Sequence, residues 1–166
     1  SISSPSLGSA DCFPFLLWAA AHLHPGGLSP SSAMDVSAMV RVGDDEVRDA
    51  DKRDYGLNMT LREMMRRSSN TGFVLVGEKI GADDFDQYVI KDFGFGTSTG
   101  IDFPGESLGI IKGRSEYGGA TLGSMSFGQA LAVEPVQMVR AMSAIANKGV
   151  MTTPHYLEAR DGQKEK

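Results

Sequence analysis

The sequence predicts a mainly helical α+β domain, and three observations carry that expectation. Thr60-Leu61-Arg62-Glu63 has the capping pattern of a helix start, in which hydroxyl and carboxylate satisfy each other's backbone N–H groups. Phe73, Val76 and Ile80 then recur at spacings of three and four, one apolar face of a second helix. Nine glycines in residues 94–123 leave room there only for loops and short strands.

Taken in order, residues 1–11 (SISSPSLGSAD) are small and polar and read as a loose end. Residues 13–21 (FPFLLWAAA) are the most apolar run, far short of the ~20 residues a helix needs to cross a bilayer. No Lys or Arg precedes them as a signal peptide requires, so they read as a buried helix or core segment. Residues 25–32 (PGGLSPSS) form a loop, and the charged stretch 41–56 reads as a solvated hairpin or loop. A helix runs from Thr60 to about Arg67, breaks at residues 68–70, resumes with Phe73, and ends at Gly81. A third short helix places Phe85, Tyr88 and Val89 on one face, with Gly94 near its end. In the last long helix Pro135 takes the first turn beside Glu134. Met138, Met142 and Ile145 line one face, Lys148 sits in the last turn, and Gly149 fits the C′ position. No internal repeat is visible.

Composition excludes several functions. A net charge of -5 over 166 residues argues against a nucleic-acid binder, which needs surplus cations to neutralise phosphates. One cysteine, Cys12, permits neither an internal disulfide nor a Cys-rich metal site, and His22, His24 and His155 form no metal motif. Nothing implies a metal or an organic cofactor.

Chemistry is concentrated in RRSSNTGF, residues 66–73. Taken alone, Ser68-Ser69-Asn70 before an apolar helical run is a cap, because Ser and Asn oxygens accept orphaned helix N–H groups. Its surroundings add a second meaning. MTLREMMRRSSNTGFVLVGEKIG resembles the segment around the Ser-x-Asn motif of class B penicillin-binding proteins, the D,D-transpeptidases that cross-link peptidoglycan. FGFGTSTGIDFPGE resembles the glycine-rich stretch after that motif, and SMSFGQALAVEPVQMVRAMSAIANKGV the long helix before the catalytic strand. LSPSSAMDV and DADKRDYG also read like this family, especially its cell-division members. The family's three motifs are S-x-x-K, S-x-N and K-T-G.

The resemblance implies the α+β transpeptidase and serine β-lactamase-like fold, here mainly its helical half with part of the sheet missing. Residues 1–24 stand apart from the family, and residues 25–166 read as a partial transpeptidase domain. In such an enzyme the S-x-x-K serine attacks a D-Ala carbonyl, and a second stem peptide or a β-lactam takes part in the acyl chemistry. By resemblance Ser68 relays protons between the lysine and the leaving group. Asn70 hydrogen-bonds the substrate backbone, with Ser69 beside it in the substrate-binding motif.

Two motifs are absent. No serine has a lysine three places on, and no lysine is followed by Thr-Gly or Ser-Gly. In this family the K-T-G strand lies beyond the long helix, past the place where HYLEARDGQKEK stops. Counting back from Leu28-Ser29-Pro30 puts the serine slot near Cys12 and the lysine slot near Phe15. A thiol is a nucleophile in principle, but nothing there lowers its pKa, and a cysteine beside an apolar run is an inert packed residue.

The expectation is therefore part of a D,D-transpeptidase, inactive as written. The alternatives are a non-catalytic interaction module of cell-wall synthesis, or a β-lactam-binding sensor or hydrolase relative. Implied partners are the peptidoglycan stem peptide and β-lactams. A second copy of the chain or a separately supplied missing half is also implied, because the Met138/Met142/Ile145 face would lose its cover. The chain should then be oligomeric, partner-dependent or marginally stable. The family works at the outer face of the bacterial cell membrane, and this chain shows no anchor.

Overall fold

The computed structural model describes residues 27–50, 58–118, 120–156, 159–160 and 163–164. The expectations for residues 1–24, including Cys12 and the apolar run, lie outside them. The described elements are mainly helical, with short antiparallel strand pairs, as the sequence predicts.

β1 (Ala33–Met34) pairs with β4 (Met59–Thr60), which runs directly into α1 (Leu61–Arg67). Between them, β2 (Met39–Val42) and β3 (Asp45–Arg48) form a hairpin with Val42 opposite Asp45. Its two loop residues are Gly43 and Asp44, and only Gly43 has positive φ (62°), the II′ pattern that matches strand twist. The described part of the charged stretch, residues 41–50, thus belongs to a hairpin with an apolar inner side. Val42 and Val47 are buried against Val74, which fixes the end of β3 beside the second helix.

α1 opens on Thr60, whose hydroxyl accepts from the Glu63 N–H at 3.2 Å. The Glu63 carboxylate turns instead to Arg67 at 3.3 Å and Arg66 at 3.7 Å, so only half of the expected reciprocal cap is seen. α2 (Asn70–Ile80) buries Phe73, Val76 and Ile80 and is stopped by Gly81 at φ 84°. α3 (Ala82–Asp84) then widens into π-helical turns over Phe85–Lys91, with Phe85, Val89 and Ile90 buried. The buried Asp86 in this segment takes Lys91 Nζ at 2.8 Å and the Tyr117 hydroxyl at 3.2 Å. Burial first, and the Asp86 charge second, push the Tyr117 phenol well above its ordinary range.

The glycine-rich segment is largely irregular, with a 3₁₀ turn at Arg114–Glu116 and one bridge between Ile110 and Ala132. Its end contains a short helix that the pattern does not reveal, α4 (Thr121–Ser126). α4 crosses α2 so closely that a Cβ on Gly77 would sit 1.7 Å from Ser126 Oγ. Earlier in the segment, Glu106 fastens the loop by accepting from the Ser98 hydroxyl, from Thr99 N–H at 2.7 Å and from the Thr99 hydroxyl at 2.6 Å. These hydrogen bonds, Ser98's first, hold its carboxyl at about 2, below the ordinary 4.5. The depressed value means the clasp is fully present above the unfolded pKa and is lost as pH falls through about 2. A carbon-detected NMR titration should give Glu106 a midpoint near 2, and a midpoint near 4.5 would mean the clasp opens in solution.

α5 (Pro135–Ala146) starts where Pro135 predicts. Its buried stripe is Gln137, Met138, Ala141 and Ala144, whereas Met142 is only partly buried and Ile145 is 37% exposed. The expected Met138/Met142/Ile145 face is thus corrected by rotation toward Gln137. The chain itself covers Met138, and cover falls away toward the C-terminal turn. The stop is also one residue earlier than expected. Lys148 takes the left-handed position (φ 56°), and Gly149 follows it, its N–H donating to Ala144 O at 2.7 Å. Beyond it lie β5 (Ala159–Arg160) and β6 (Gln163–Lys164), an antiparallel pair. Among the described residues no helix is long and apolar enough to cross a membrane.

Candidate functional site

The RRSSN run forms the tight connection between α1 and α2. Two backbone bonds close α1: Ser68 N–H donates to Met65 O at 3.2 Å, and Ser69 N–H to Met64 O at 3.0 Å. That pairing is the Schellman stop, in which glycine is the usual left-handed residue. Here the position belongs to Ser68, at φ 51° and ψ 51°. A side chain in that region costs roughly 1–2 kcal/mol. Ser68 is exposed, and among the described residues its hydroxyl has no hydrogen-bond partner.

The next two residues behave differently. Ser69 is fully buried, and its hydroxyl caps α2 by accepting from Gly72 N–H at 3.0 Å, with Thr71 Oγ1 at 3.3 Å. The capping sense of the tripeptide therefore resides in Ser69, which is buried in the protein rather than turned to solvent. Asn70, at the first position of α2, is partly exposed and its Nδ2 donates to Arg48 O at 3.1 Å. The structure brings Ser68 and Asn70 together on one turn, with Ser69 as the support beneath them.

Sequence reasoning missed the support from the hairpin. Asp49, 5% exposed, accepts from Thr71 N–H at 3.1 Å and lies 3.4 Å from the Thr71 hydroxyl. The signal was its place in the DADKRDYG block just ahead of the motif, but nothing in that charged run separates a buried carboxylate from a solvated one. The cationic end of α1, Arg66 and Arg67, suits the helix C-terminus and puts positive charge beside Ser68.

A cavity of about 500 Å³ is lined by Tyr88, Asp92, Phe93, Ile145 and Met151. Among the described residues no set of three His, Cys, Asp or Glu side chains is gathered as a metal site requires.

Comparison with known proteins places the chain as a whole. The family described as "Penicillin binding protein transpeptidase domain" matches residues 16–166. The stage V sporulation protein D of Bacillus subtilis is 43% identical over 101 residues, covering 61% of this chain and 15% of that protein. Penicillin-binding protein PbpB of Mycobacterium tuberculosis is 29% identical over 141 residues, covering 85% of this chain and 20% of that protein. The crystal structure of penicillin-binding protein 3 from M. tuberculosis, complexed with aztreonam, superposes with a TM-score of 0.80 at 28% identity, covering 95% of this chain and 35% of the other. The chain thus spans a fifth or less of the length of these two relatives.

Proposed function

Since the chain belongs to the class B penicillin-binding protein family and carries part of its transpeptidase domain, we propose that it is the Ser-x-Asn-bearing part of a peptidoglycan D,D-transpeptidase. Residues 25–166 are assigned to that domain. Ser68 is the proton-relaying hydroxyl, and Asn70 the group that hydrogen-bonds the peptide backbone of a stem peptide or a β-lactam.

The observation that carries this reading is Ser68. A serine holding a left-handed position that glycine would fill without strain, with its hydroxyl exposed, points to a hydroxyl retained for use. Ser68→Gly is accordingly expected to hold or raise stability by up to about 1 kcal/mol in urea unfolding. A loss of more than that would mean the side chain serves the fold.

As written, the 166 residues contain neither S-x-x-K nor K-T-G, so no activated nucleophile is supplied. We therefore infer that the chain alone is silent toward β-lactams. Intact-mass analysis after incubation with a reporter penicillin should show no added mass. A stoichiometric adduct, located by peptide mapping, would overturn the inference and identify the nucleophile. The protein partner that fits best is the remainder of the same domain. Val139 (66% exposed) and Val150 (59%) are apolar surface that such a partner would cover. Activity at the outer membrane face is part of the same reading.

A further inference from the structure

We propose that Asp49 is the positioning residue of the 68–70 turn, holding Ser68 and Asn70 in the geometry the motif needs. The inference rests on the reading of those two side chains as substrate-facing.

The turn is gripped from two sides. On the α1 side, backbone bonds from Ser68 and Ser69 to Met65 and Met64 fix where the chain leaves the helix. On the α2 side, consecutive residues of the hairpin meet consecutive residues of the helix: Arg48 O takes Asn70 Nδ2, and Asp49 Oδ1 takes Thr71 N–H. Two contacts one residue apart fix rotation as well as position. The hairpin can act as an anchor because Val47 is packed against Val74, one turn further along α2.

Electrostatics give the grip its strength. The first N–H groups of a helix have no partner within it, and their dipoles favour a nearby anion. In α2 the Thr71 N–H goes to Asp49, and the Gly72 N–H goes to Ser69. A carboxylate taken out of water is costly unless its charge is compensated. Asp49 finds that compensation at the start of α2, so the carboxylate and the helix terminus hold each other. An ordinary cap is local in sequence, whereas this one spans 22 residues and ties the motif to a separate element.

Amide hydrogen exchange on the full chain tests the inference. In the parent protein the Thr71 amide should exchange within about tenfold of Val76 in the middle of α2, because a second-position amide is protected only by an outside acceptor. An unprotected Thr71 amide would overturn the proposal without any variant. Asp49→Ala should accelerate Thr71 by at least about tenfold more than Val76 and move the Ser68 and Asn70 resonances. Val47→Ala, which loosens the hairpin that carries Asp49, should also accelerate Thr71 more than Val76, and equal acceleration there would count against the hairpin as the anchor. Asp49→Asn keeps an acceptor oxygen without the charge and should restore part of the Thr71 protection, more than Asp49→Ala and less than the parent. Equal acceleration of Thr71 and Val76 in Asp49→Ala would reduce Asp49 to a general contributor to stability and sink the idea.

A titration with a diacetylated Lys-D-Ala-D-Ala tripeptide separates this inference from the reading beneath it. Shifts at Ser68 and Asn70 in the parent and in Asp49→Asn, weakened in Asp49→Ala, support both. No shift in the parent would count against the substrate-facing reading, while the exchange data would still decide the role of Asp49. Equal shifts in the parent and in Asp49→Ala would overturn the positioning role.

Discussion

Gly77→Ala is expected to destabilise the protein by about 3 kcal/mol, although alanine is the better helix former. On an exposed helix the same change would stabilise by about 1 kcal/mol. Here the added methyl would lie 1.7 Å from Ser126 Oγ and 2.7 Å from Ser126 Cβ. Rotating the Ser126 hydroxyl away relieves the first contact at the expense of its 2.7 Å bond to Leu122 O. The second contact involves a carbon next to the backbone, and only moving α4 off α2 relieves it. Urea unfolding should show a lower midpoint with an unchanged slope. Ser126→Ala in the Gly77→Ala background should recover part of the loss, and Ser126→Gly more. A midpoint that rises on Gly77→Ala would mean that the two helices stand further apart than described.

That crossing also shows where sequence reasoning stops. α1, α2 and α5 were legible because each carries local chemistry: Thr60 as a cap, the Phe73/Val76/Ile80 spacing, Pro135 in a first turn. α4 (TLGSMS) has one glycine, three hydroxyl residues and no strong periodicity. It is helical because Met125 is buried in the core and because Gly77 and Gly123 allow close approach to their neighbours. Those are tertiary reasons, invisible in a window of residues. The charged residues 41–50 hid their hairpin in the same way. Val42 and Val47 are too few to signal an apolar face until the II′ turn at Gly43 sets them on one side.

The site divides along the same line. That Ser68-Ser69-Asn70 would break the helices was legible, and so was the capping sense of the tripeptide. Which serine does which was not. Both have the same chemistry, and only the backbone, left-handed at Ser68 and extended at Ser69, turns one hydroxyl to solvent and the other onto Gly72 N–H. Ser69 therefore belongs to the support of the motif, and the exposed chemistry narrows to Ser68 and Asn70.

Gln137→Leu is expected to cost about 3 kcal/mol, the second large effect. A periodicity argument places a leucine comfortably in the buried stripe of α5, since Gln137 is only 1% exposed among Met138, Ala141 and Ala144. The side chain is nevertheless polar for a reason. Its Oε1 accepts from Glu134 N–H at 3.0 Å, and its Nε2 donates to Thr97 O at 2.9 Å and Leu108 O at 3.2 Å. One amide group thus caps α5 and fastens two points of the glycine-rich loop that has no regular ladder of its own. Leucine fills the volume and leaves those three backbone groups without their partner, at roughly 1–3 kcal/mol for each that water does not reach. Gln137→Glu sharpens the test. The glutamate keeps the acceptor for Glu134 N–H, but above its pKa it points an anionic oxygen at two carbonyl oxygens. The neutral acid can still donate, so the folded state should raise that pKa. The variant should be less stable than the parent at pH 7 and recover as pH falls toward 4. Thermal melts at the two pH values read this directly. A leucine variant as stable as the parent would show that the loop is not held to α5 through this residue.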